Sequence, residues 1–392
     1  MRVRLAVFAF GGLGHVTPVV PVIRAAIDAG HEVRVLTDQG GVTVFDQFGV
    51  ASVGIDHADP DDERQAFERL RTDASIAAAG HDISQFLGRG ERALPTVIEE
   101  LRAFEADVLL RDLAGWGAML AAEVCGIPVA TYEWTPPPSA FIAAALGSQL
   151  DGIRHRLDLQ PDPDCSQLDR WLRLVLAPPW WARGNEHLPQ TAHWIRPVQP
   201  RAGLGVGPAW LDEQREAPLV YATLGTVFNR TEGLLAAMLD GLATLDDVHV
   251  IATTGNDVDP ASFADLPDRI RVERFVPQAA VLDRVDAVVA HGGYGTLMGA
   301  LAAGRPAVAI PLAAADNVAN AESVSARGAG LVVGNNERTS EVIAERTRRV
   351  LYEPGFSAAA REAASEIAAL PGPEHAVALL ARLAESRAPV TR

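Results

Sequence analysis

Short apolar runs, glycine turns and helical patterns alternate along much of the chain. Residues 3–10 form the first apolar run, a glycine turn carrying His15 follows, and apolar positions then recur at helical spacing. Residues 33–36 form a second apolar run, and a strand–helix–strand unit this compact predicts a parallel sheet. Within this unit, we predict that Thr17 is the N-cap and Pro18 the first residue of the helix.

The same alternation returns in the second half of the chain, after a stretch without a clear period. Residues 132–201 show no regular pattern, and residues 196–210 have the proline and glycine content of a linker. We predict further strands at residues 108–110, 128–131, 219–224, 248–253, 269–275, 287–290, 307–311 and 331–333. Two similar α/β halves on one chain imply a cleft between them, where ligands usually bind.

Composition narrows the range of functions. The net charge of −16 argues against binding to nucleic acids or anionic membranes, which requires a basic surface. All 34 basic residues are arginine, so the chain lacks the lysine of a P-loop and that of a pyridoxal phosphate enzyme. The Asp-x-Asp triplets fall in turn-like stretches and the 10 histidines show no zinc-binding spacing, so we predict no metal site.

The cellular location is predicted from the N-terminal residues, the cysteines and the hydropathy. Residues 1–14 superficially resemble a signal peptide, but turn glycines follow at once, and we interpret them as a first strand. Cys125 and Cys165 lie in no paired spacing, which fits a reducing cytosol. No run reaches ~18 apolar residues. We therefore expect a cytoplasmic protein without stable membrane insertion.

The first glycine turn has two interpretations. Gly12 and Gly14 follow a strand and Asp38 follows the next, which is compatible with a dinucleotide site. Against that alternative, Thr17 replaces the third glycine of the fingerprint and His15 lies at the entrance of the helix. A glycine pair alone is therefore weak evidence for a dinucleotide cofactor.

His15 is a candidate general base, although a purely structural role is equally compatible with its position. A helix N-terminus disfavours the charged imidazolium, which predicts a neutral ring near neutral pH. Asp112 follows another strand, and the carboxyl ends of parallel strands meet at one edge of a sheet. A carboxylate there can hold the imidazole Nδ1–H, whereas an isolated loop aspartate would be merely solvated.

Residues 291–296 are the strongest local signal in the second half. Three glycines, His291 and Thr296 open a helix directly after the buried run at residues 287–290. Backbone N–H groups at such a helix start bind anions, and we expect the diphosphate of a nucleotide-linked substrate here. Residues 223–226 and Phe275 also follow strands, but each alone is a weak signal, and Phe275 could be a core aromatic.

Five motifs together resemble the family 1 glycosyltransferases of the GT-B fold, in particular the bacterial enzymes that decorate polyketides and other antibiotics. They are GGLGHVTP at residues 11–18, RDLAGWGAMLAAEVCGIPVA at 111–130, TLGT at 223–226, RFVPQ at 274–278 and HGGYGTLMGALAAGRPAVAIPL at 291–312, followed by ADN. The resemblance spans nearly the whole chain. It implies an α/β protein of two Rossmann-like domains whose parallel sheets face each other across a central cleft.

The resemblance also gives the domains and the reaction. It implies an acceptor-binding domain at residues 1–200, a linker at 201–216, a nucleotide-sugar-binding domain at 217–370, and a C-terminal helix in 371–392 packing back on the first domain. The implied reaction is an inverting, metal-independent transfer of a sugar from a nucleotide diphosphate to a hydrophobic natural-product aglycone such as a polyketide. No cofactor is expected to be tightly bound.

Site residues follow from the same resemblance. His15 becomes the general base and Asp112 its partner. The donor is expected to contact Gly225, Thr226, Phe275, Val276, Gln278, His291, Gly293, Gly295, Thr296, Asp316 and Asn317. Of these, Thr226 and the 291–296 turn are expected to bind the diphosphate, Phe275 the nucleobase, and Asp316 and Asn317 the sugar. Walls of the acceptor site are expected from Trp116 and the tryptophan-rich residues 132–195.

Two departures from the family pattern concern the donor. Gly299 stands where many UDP-sugar enzymes carry a ribose-binding glutamate, so we favour a dTDP-sugar over a UDP-sugar. Asn317 is one methylene shorter than the usual glutamine, which fits a deoxysugar. The alternatives are a UDP-sugar enzyme with another lipophilic acceptor, a sugar-nucleotide epimerase or cell-wall glycosyltransferase, a non-catalytic helper protein, and a nicotinamide dehydrogenase. The aglycone, the sugar, the bond type and the oligomeric state, including a homodimer, stay open.

Overall fold

Two parallel sheets, each flanked by helices, organise the chain. The computed structural model describes residues 2–55, 76–135, 139–181, 188–200, 207–212, 216–225, 233–255, 258–312 and 315–392. The first sheet consists of β1 (Arg4–Phe8), β2 (Glu32–Thr37), β3 (Ser52–Gly54), β4 (Val108–Asp112), β5 (Val129–Glu133), β6 (Leu172–Val175) and β7 (Ala192–Trp194). The second consists of β8 (Leu219–Thr223), β9 (His249–Thr253), β10 (Ile270–Glu273), β11 (Ala287–Ala290), β12 (Ala307–Ala309) and β13 (Gly330–Val332).

Helices connect the strands of both sheets. In the first half they are α1 (Leu13–Asp28), α2 (Gln39–Gln47), α3 (Ile76–Ala103), α4 (Trp116–Val124) and α5 (Ser139–Arg156). In the second half they are α6 (Leu234–Ala243), α7 (Gln278–Leu282), α8 (Tyr294–Ala302), α9 (Ala315–Ala326), α10 (Ser340–Tyr352), α11 (Pro354–Ala369) and α12 (Pro373–Ser386). None of the helices in these ranges is long and apolar enough to cross a membrane.

The strand order places a crevice in each half. The first sheet runs β3-β2-β1-β4-β5-β6-β7 and the second runs β10-β9-β8-β11-β12-β13, with all neighbours parallel. The chain direction across the sheet reverses between β1 and β4, and again between β8 and β11. Ligands of open parallel sheets bind at such reversals, beyond the carboxyl ends of the strands. The prediction of two Rossmann-like halves is confirmed.

The start of α1 differs from the prediction. The helix begins at Leu13 with Gly12 as the N-cap, so Thr17 is inside the helix and its predicted capping role is wrong. The Thr17 hydroxyl donates instead to the carbonyl of Leu13 at 2.7 Å. Pro18 is an interior residue too. As a result, His15 projects from the first helical turn rather than from the loop before it.

The stretch at residues 132–201 is more regular than its pattern indicated. It contains α5, β6 and β7. The four residues of β6 include a buried arginine, Arg173, which donates to the Glu133 carboxylate of β5 at 2.6 and 2.8 Å. Because this charged pair replaces an apolar one inside the sheet, the apolar periodicity that marks the other strands is broken.

The end of the chain returns to the first half. Helix α12 packs against α1 and β6, whereas α11 packs against α8 in the second half. Beyond α12, the N–H group of Val390 donates to the carbonyl of Trp171 at 2.9 Å. The last two helices therefore pack on different halves of the protein, α11 on the second half and α12 on the first.

Candidate active site

A histidine–aspartate pair lies at the reversal point of the first sheet. His15 Nδ1 lies 2.6 Å from Oδ2 of Asp112, the last residue of β4. The other carboxylate oxygen accepts the N–H group of Ala114 at 2.7 Å. The Tyr132 hydroxyl lies 3.0 Å from the carbonyl oxygen of His15 and 3.3 Å from Oδ2. These contacts fix the imidazole with Nε2 as its remaining basic nitrogen.

The burial of the two side chains and the charge of Asp112 together determine the pKa of His15. The Asp112 side chain is fully buried, and the His15 side chain retains 24% of its exposure. Burial disfavours the imidazolium, but the Asp112 carboxylate outweighs it, and the pKa of His15 is raised above its usual 6.5. The direction predicted from the helix N-terminus alone is therefore wrong, because that prediction omitted a carboxylate in hydrogen-bond contact.

Aromatic side chains surround the imidazole of His15. The ring centroids of Trp134, Phe86 and Phe10 lie 5.3, 5.6 and 6.1 Å from that of His15. Trp116, in contrast, lines a cavity with Arg111 and Glu133, on the face of the sheet opposite Asp112. The structure thus separates Trp116 from the histidine and brings Trp134 to it.

A second histidine lies at the reversal point of the other sheet. His291 follows β11, and its ring is held between Gly225 and Gly293. A Cβ atom at Gly225 would lie 2.5 Å from Cε1 of the ring, and one at Gly293 would lie 2.4 Å from Nε2. Gly225 also has a φ of +74°, which disfavours other residues. Only glycine fits these two positions beside the ring.

The turn at His291 has the properties of an anion site. Gly293 is the N-cap of α8 and supplies no side-chain hydrogen bond to the helix. The first N–H groups of α8 thus have no side-chain cap, which is the arrangement that favours an anion. Burial lowers the pKa of His291 to about 4. The ring is therefore neutral near pH 7 and can act as a hydrogen-bond donor without carrying a charge.

Residues beyond this turn connect it to an exposed aromatic side chain. Gln278 Oε1 accepts from the Thr296 hydroxyl at 3.1 Å, and its Nε2 donates to the carbonyl of Gly295 at 3.0 Å. Phe275, three residues earlier, is 51% exposed, whereas Val276 beside it is buried. Phe275 follows the carboxyl end of β10, and its exposed ring offers a flat surface on which a nucleobase can stack.

Two polar residues, partly buried Asp316 and buried Asn317, lie at the start of α9. The Asp316 carboxylate raises the pKa of His15, and its own pKa is raised by burial. Asn317 is 3% exposed, and within the described part of the chain its Nδ2 finds no hydrogen-bond acceptor. A buried amide donor of this kind is costly unless a ligand pairs with it.

The two halves also contact each other directly, through aromatic and polar side chains. Trp134 stacks on Tyr294 with ring centroids 5.9 Å apart, and the Tyr294 hydroxyl donates to the carbonyl of Leu176. The Thr135 hydroxyl donates to Asn320 Oδ1 at 2.9 Å, and Asn320 Nδ2 donates to the Gly292 carbonyl at 3.0 Å. The imidazole of His15 and the anion turn therefore face one interface.

Comparison with known proteins identifies the family. The second half, residues 236–383, matches the family model of the erythromycin biosynthesis protein CIII-like C-terminal domain. The chain is 31% identical to 4'-demethylrebeccamycin synthase of Lentzea aerocolonigenes, covering 94% of this chain and 96% of the relative. It is 30% identical to the elloramycin glycosyltransferase ElmGT of Streptomyces olivaceus, covering 96% of each. The chain belongs to the GT-B glycosyltransferases of antibiotic biosynthesis.

A solved structure agrees with this assignment. The crystal structure of the glycosyltransferase VinC in complex with dTDP is 26% identical, with a TM-score of 0.79, and covers 98% of this chain and 100% of that one. The family resemblance of the sequence motifs is thereby confirmed.

Most of the predicted donor residues of the glycosyltransferase lie at the second reversal point. The structure brings Gly225 to His291 and Gly293, and it joins Gly295 and Thr296 through Gln278. Thr226 lies outside the described residues. Their roles in binding stay predictions.

Several residues of the site escaped the sequence reasoning. They are Tyr132, Phe86, Asn320 and Gln199. Tyr132 was detectable in principle, because it directly follows the predicted strand at 128–131 and pairs with Asp112 in the sheet register. Asn320 and Gln199 carried no signal, because each contributes through a contact between the two halves or with the segment that joins them.

Asp38 has a structural role. Its carboxylate accepts the N–H groups of Gly11 at 2.8 Å and Gly41 at 2.7 Å, and it lies 3.2 Å from the Arg89 guanidinium. The carboxylate needed by the dinucleotide alternative is thus already engaged. Within the described ranges, no group of three or more histidine, cysteine, aspartate and glutamate side chains could hold a metal ion.

Proposed function

We propose that the protein is an inverting, metal-independent glycosyltransferase that moves a deoxysugar from a dTDP-sugar to an apolar natural-product aglycone such as a polyketide. The observation that carries this proposal is the pair of buried Asp112 and partly exposed His15, in an interface that also contains a helix N-terminus without a side-chain cap. A base is held 2.6 Å from its carboxylate partner, and an anion site faces it from the other half. A base and a leaving-group site in one cleft are the two requirements of direct glycosyl transfer.

The chemistry is a single displacement at the anomeric carbon. The acceptor hydroxyl lies beside His15, and Nε2 takes its proton as the oxygen forms a bond to that carbon. Asp112 stabilises the imidazolium as it forms. The bond from the anomeric carbon to the diphosphate oxygen breaks, and the electron pair leaves with the nucleoside diphosphate. The N–H groups of α8 and neutral His291 stabilise the growing negative charge.

The donor is proposed from three features. Buried Asn317 Nδ2 supplies an amide donor to a sugar hydroxyl, and the Asp316 carboxylate is near enough to His15 to help raise its pKa. Gly299 has no carboxylate with which to bind a ribose 2′-hydroxyl. The VinC structure in complex with dTDP supports a nucleotide that carries deoxyribose. The relative aclacinomycin-T 2-deoxy-L-fucose transferase of Streptomyces galilaeus, 27% identical over 95% of this chain, supports a deoxysugar as the transferred group.

The acceptor is proposed from the surroundings of the base. Three aromatic rings within about 6 Å of His15 make this side of the cleft apolar. A flat, largely apolar aglycone with one reactive hydroxyl fits that environment. The two relatives named for rebeccamycin and elloramycin steps are consistent with such an acceptor.

The decisive experiment is a substrate screen. The full chain is incubated with dTDP- and UDP-sugars against aromatic polyketide acceptors, and products are detected by mass spectrometry. We expect a mass increase of one sugar with dTDP donors, an inverted anomeric configuration by proton NMR, and unchanged turnover in EDTA. Retention of configuration, loss of turnover in EDTA, or equal turnover with UDP-sugars would each contradict the corresponding part of the proposal.

A further inference from the structure

Two glutamine side chains converge on one carbonyl group of α8. Gln199 Nε2 donates to the carbonyl of Gly295 at 2.8 Å, and Gln278 Nε2 donates to the same oxygen at 3.0 Å. Gln278 belongs to the second half, whereas Gln199 belongs to the segment that leaves the first sheet after β7. A side chain from outside the second sheet thus reaches the start of α8.

The Gly295 carbonyl lies in the part of the proposed donor site where the ribose is expected. A nucleotide donor has its ribose between the base and the diphosphate. Phe275 is the residue proposed to stack on the nucleobase, and the turn proposed to bind the diphosphate begins at His291. The ribose must therefore lie between them. Gln278 and Gly295 are linked to each other in this interval, three residues after Phe275 and four after His291. Because Gln199 donates to the same Gly295 carbonyl, its carboxamide belongs to this interval as well.

Gly299 is directly covered by Gln199. A Cβ atom at position 299 would lie 2.9 Å from Gln199 Nε2 and 2.9 Å from Leu282 Cδ1. Both atoms are ends of flexible side chains, so a larger residue at 299 is possible only if Gln199 and Leu282 both move. The side chain of Gln199 and a long side chain at 299 are therefore mutually exclusive occupants of the same space.

We infer that Gln199 is a specificity-determining residue that contacts the donor ribose and favours 2′-deoxyribose over ribose. The inference rests on the proposed nucleotide-sugar donor. With Nε2 committed to Gly295, Gln199 offers one acceptor atom, Oε1, and this suffices for a 3′-hydroxyl. A carboxylate at 299 would offer two oxygens, one for each hydroxyl of a ribose. Because Gly299 has no side chain, the 2′-hydroxyl of a ribose would be buried there without a hydrogen-bond acceptor. This disfavours binding of a ribose nucleotide relative to a 2′-deoxyribose nucleotide.

The test compares UDP with 2′-deoxy-UDP, because the two probes differ only in the 2′-hydroxyl. Their dissociation constants are measured by calorimetry on the full chain. We expect wild type to bind 2′-deoxy-UDP ~5- to 100-fold more tightly, the range expected for leaving one buried hydroxyl unpaired. Gln199→Ala should reduce the preference to less than about threefold, and the Gln199→Ala/Gly299→Glu double variant should prefer UDP.

Matched variants separate this effect from misfolding. Gln190→Ala makes the same change at an exposed glutamine and should keep the wild-type preference. Gly299→Glu alone should weaken binding of both probes, because it displaces Gln199, while the helix itself tolerates glutamate better than glycine. Circular dichroism and thermal melting check the fold of each variant.

The outcomes distinguish the two levels of the proposal. If Gln199→Ala keeps the full wild-type preference, or if Gly299→Glu alone binds both probes like wild type, the inference is wrong and the proposed transferase stands. If wild type binds UDP and 2′-deoxy-UDP equally, the inference is again wrong, and a ribose donor is indicated. If wild type binds neither nucleotide, the proposed function and the inference both fail.

Discussion

Replacing Asp112 by asparagine tests the proposed catalytic pair of His15 and Asp112 with little change in side-chain shape. In wild type, Oδ1 accepts the N–H group of Ala114 at 2.7 Å and Oδ2 faces His15 Nδ1 at 2.6 Å. Asparagine has only one oxygen. If that oxygen serves Ala114, the amide Nδ2 faces His15 and forces the tautomer with the proton on Nε2, which cannot accept a proton from the substrate.

The size of the effect follows from these contacts. Retaining the reactive tautomer means turning the amide over, which sets two N–H donors against each other at Ala114 and costs ~1–3 kcal/mol. Losing the charge of the acceptor weakens its hydrogen bond to His15 by ~1 kcal/mol. Together these effects amount to ~2–4 kcal/mol, which corresponds to a kcat lower by roughly 30- to 1,000-fold.

The pH dependence gives a second, independent signature. The Asp112 carboxylate raises the pKa of His15 against the opposing effect of burial. Without its charge, burial dominates and the pKa falls, so the acid limb of the kcat profile should move to lower pH while the plateau drops. In stability, the raised pKa of wild type contributes below about pH 6.5 and is lost as the pH rises through the folded-state pKa. The variant should lose this contribution.

The assay is steady-state kinetics from pH 5.5 to 9, roughly the range that brackets histidine titration, with urea unfolding at the same pH values. Asp107→Asn is the matched control, because Asp107 precedes the opposite end of β4 and its carboxylate accepts the N–H group of Arg4 at 2.8 Å. This control should keep the wild-type profile. A kcat of Asp112→Asn within about threefold of wild type, or an unmoved acid limb, would refute the reasoning.

Further substitutions test the other parts of the site. His15→Ala should lower kcat by ~10²–10⁴ with nearly unchanged nucleotide affinity in calorimetry, and near-normal turnover would contradict its role as base. Tyr132→Phe removes the hydroxyl 3.0 Å from the carbonyl of His15 and should lower the unfolding free energy by ~1 kcal/mol in urea titration; an unchanged midpoint would argue against that bond. Gly293→Ala places a Cβ 2.4 Å from His291 Nε2 and should weaken dTDP binding by at least ~10-fold, unlike Gly355→Ala, whose Cβ meets no atom within 4 Å. Equal dTDP affinity of these two alanine variants would exclude the proposed anion turn.

The contact between His15 and Asp112 could be predicted because it depends on topology alone. His15 follows β1 and Asp112 ends β4, and parallel strands that are adjacent in the sheet bring these positions together although 97 residues separate them. The same rule places Gly225 beside His291, after β8 and β11. Strand ends can be recognised in a sequence as apolar runs that stop, so residues at strand ends are the most predictable part of such a site.

Properties that depend on tertiary neighbours were not predictable from local rules. The rule for helix N-termini gave the wrong direction for the pKa of His15, since the charge that decides it comes from another strand. Local preference also misplaced the start of α1, because glycine turns and interior prolines are compatible with more than one first residue. Buried Arg173 disguised β6 for a similar reason, as its partner Glu133 belongs to a different strand.

The interface between the halves explains why an aromatic residue lies inside the anion turn. Tyr294 contributes its ring to Trp134, and Trp134 in turn packs edge-on against His15. The helix proposed to offer its N–H groups to the diphosphate is thereby connected through two rings to the proposed base. Displacement at an anomeric carbon needs the acceptor oxygen and the leaving group in line, and a shift of ~1 Å in their separation is costly. Stacked rings between rigid elements set that separation more firmly than flexible side chains could, because aromatic side chains have few rotatable bonds to order.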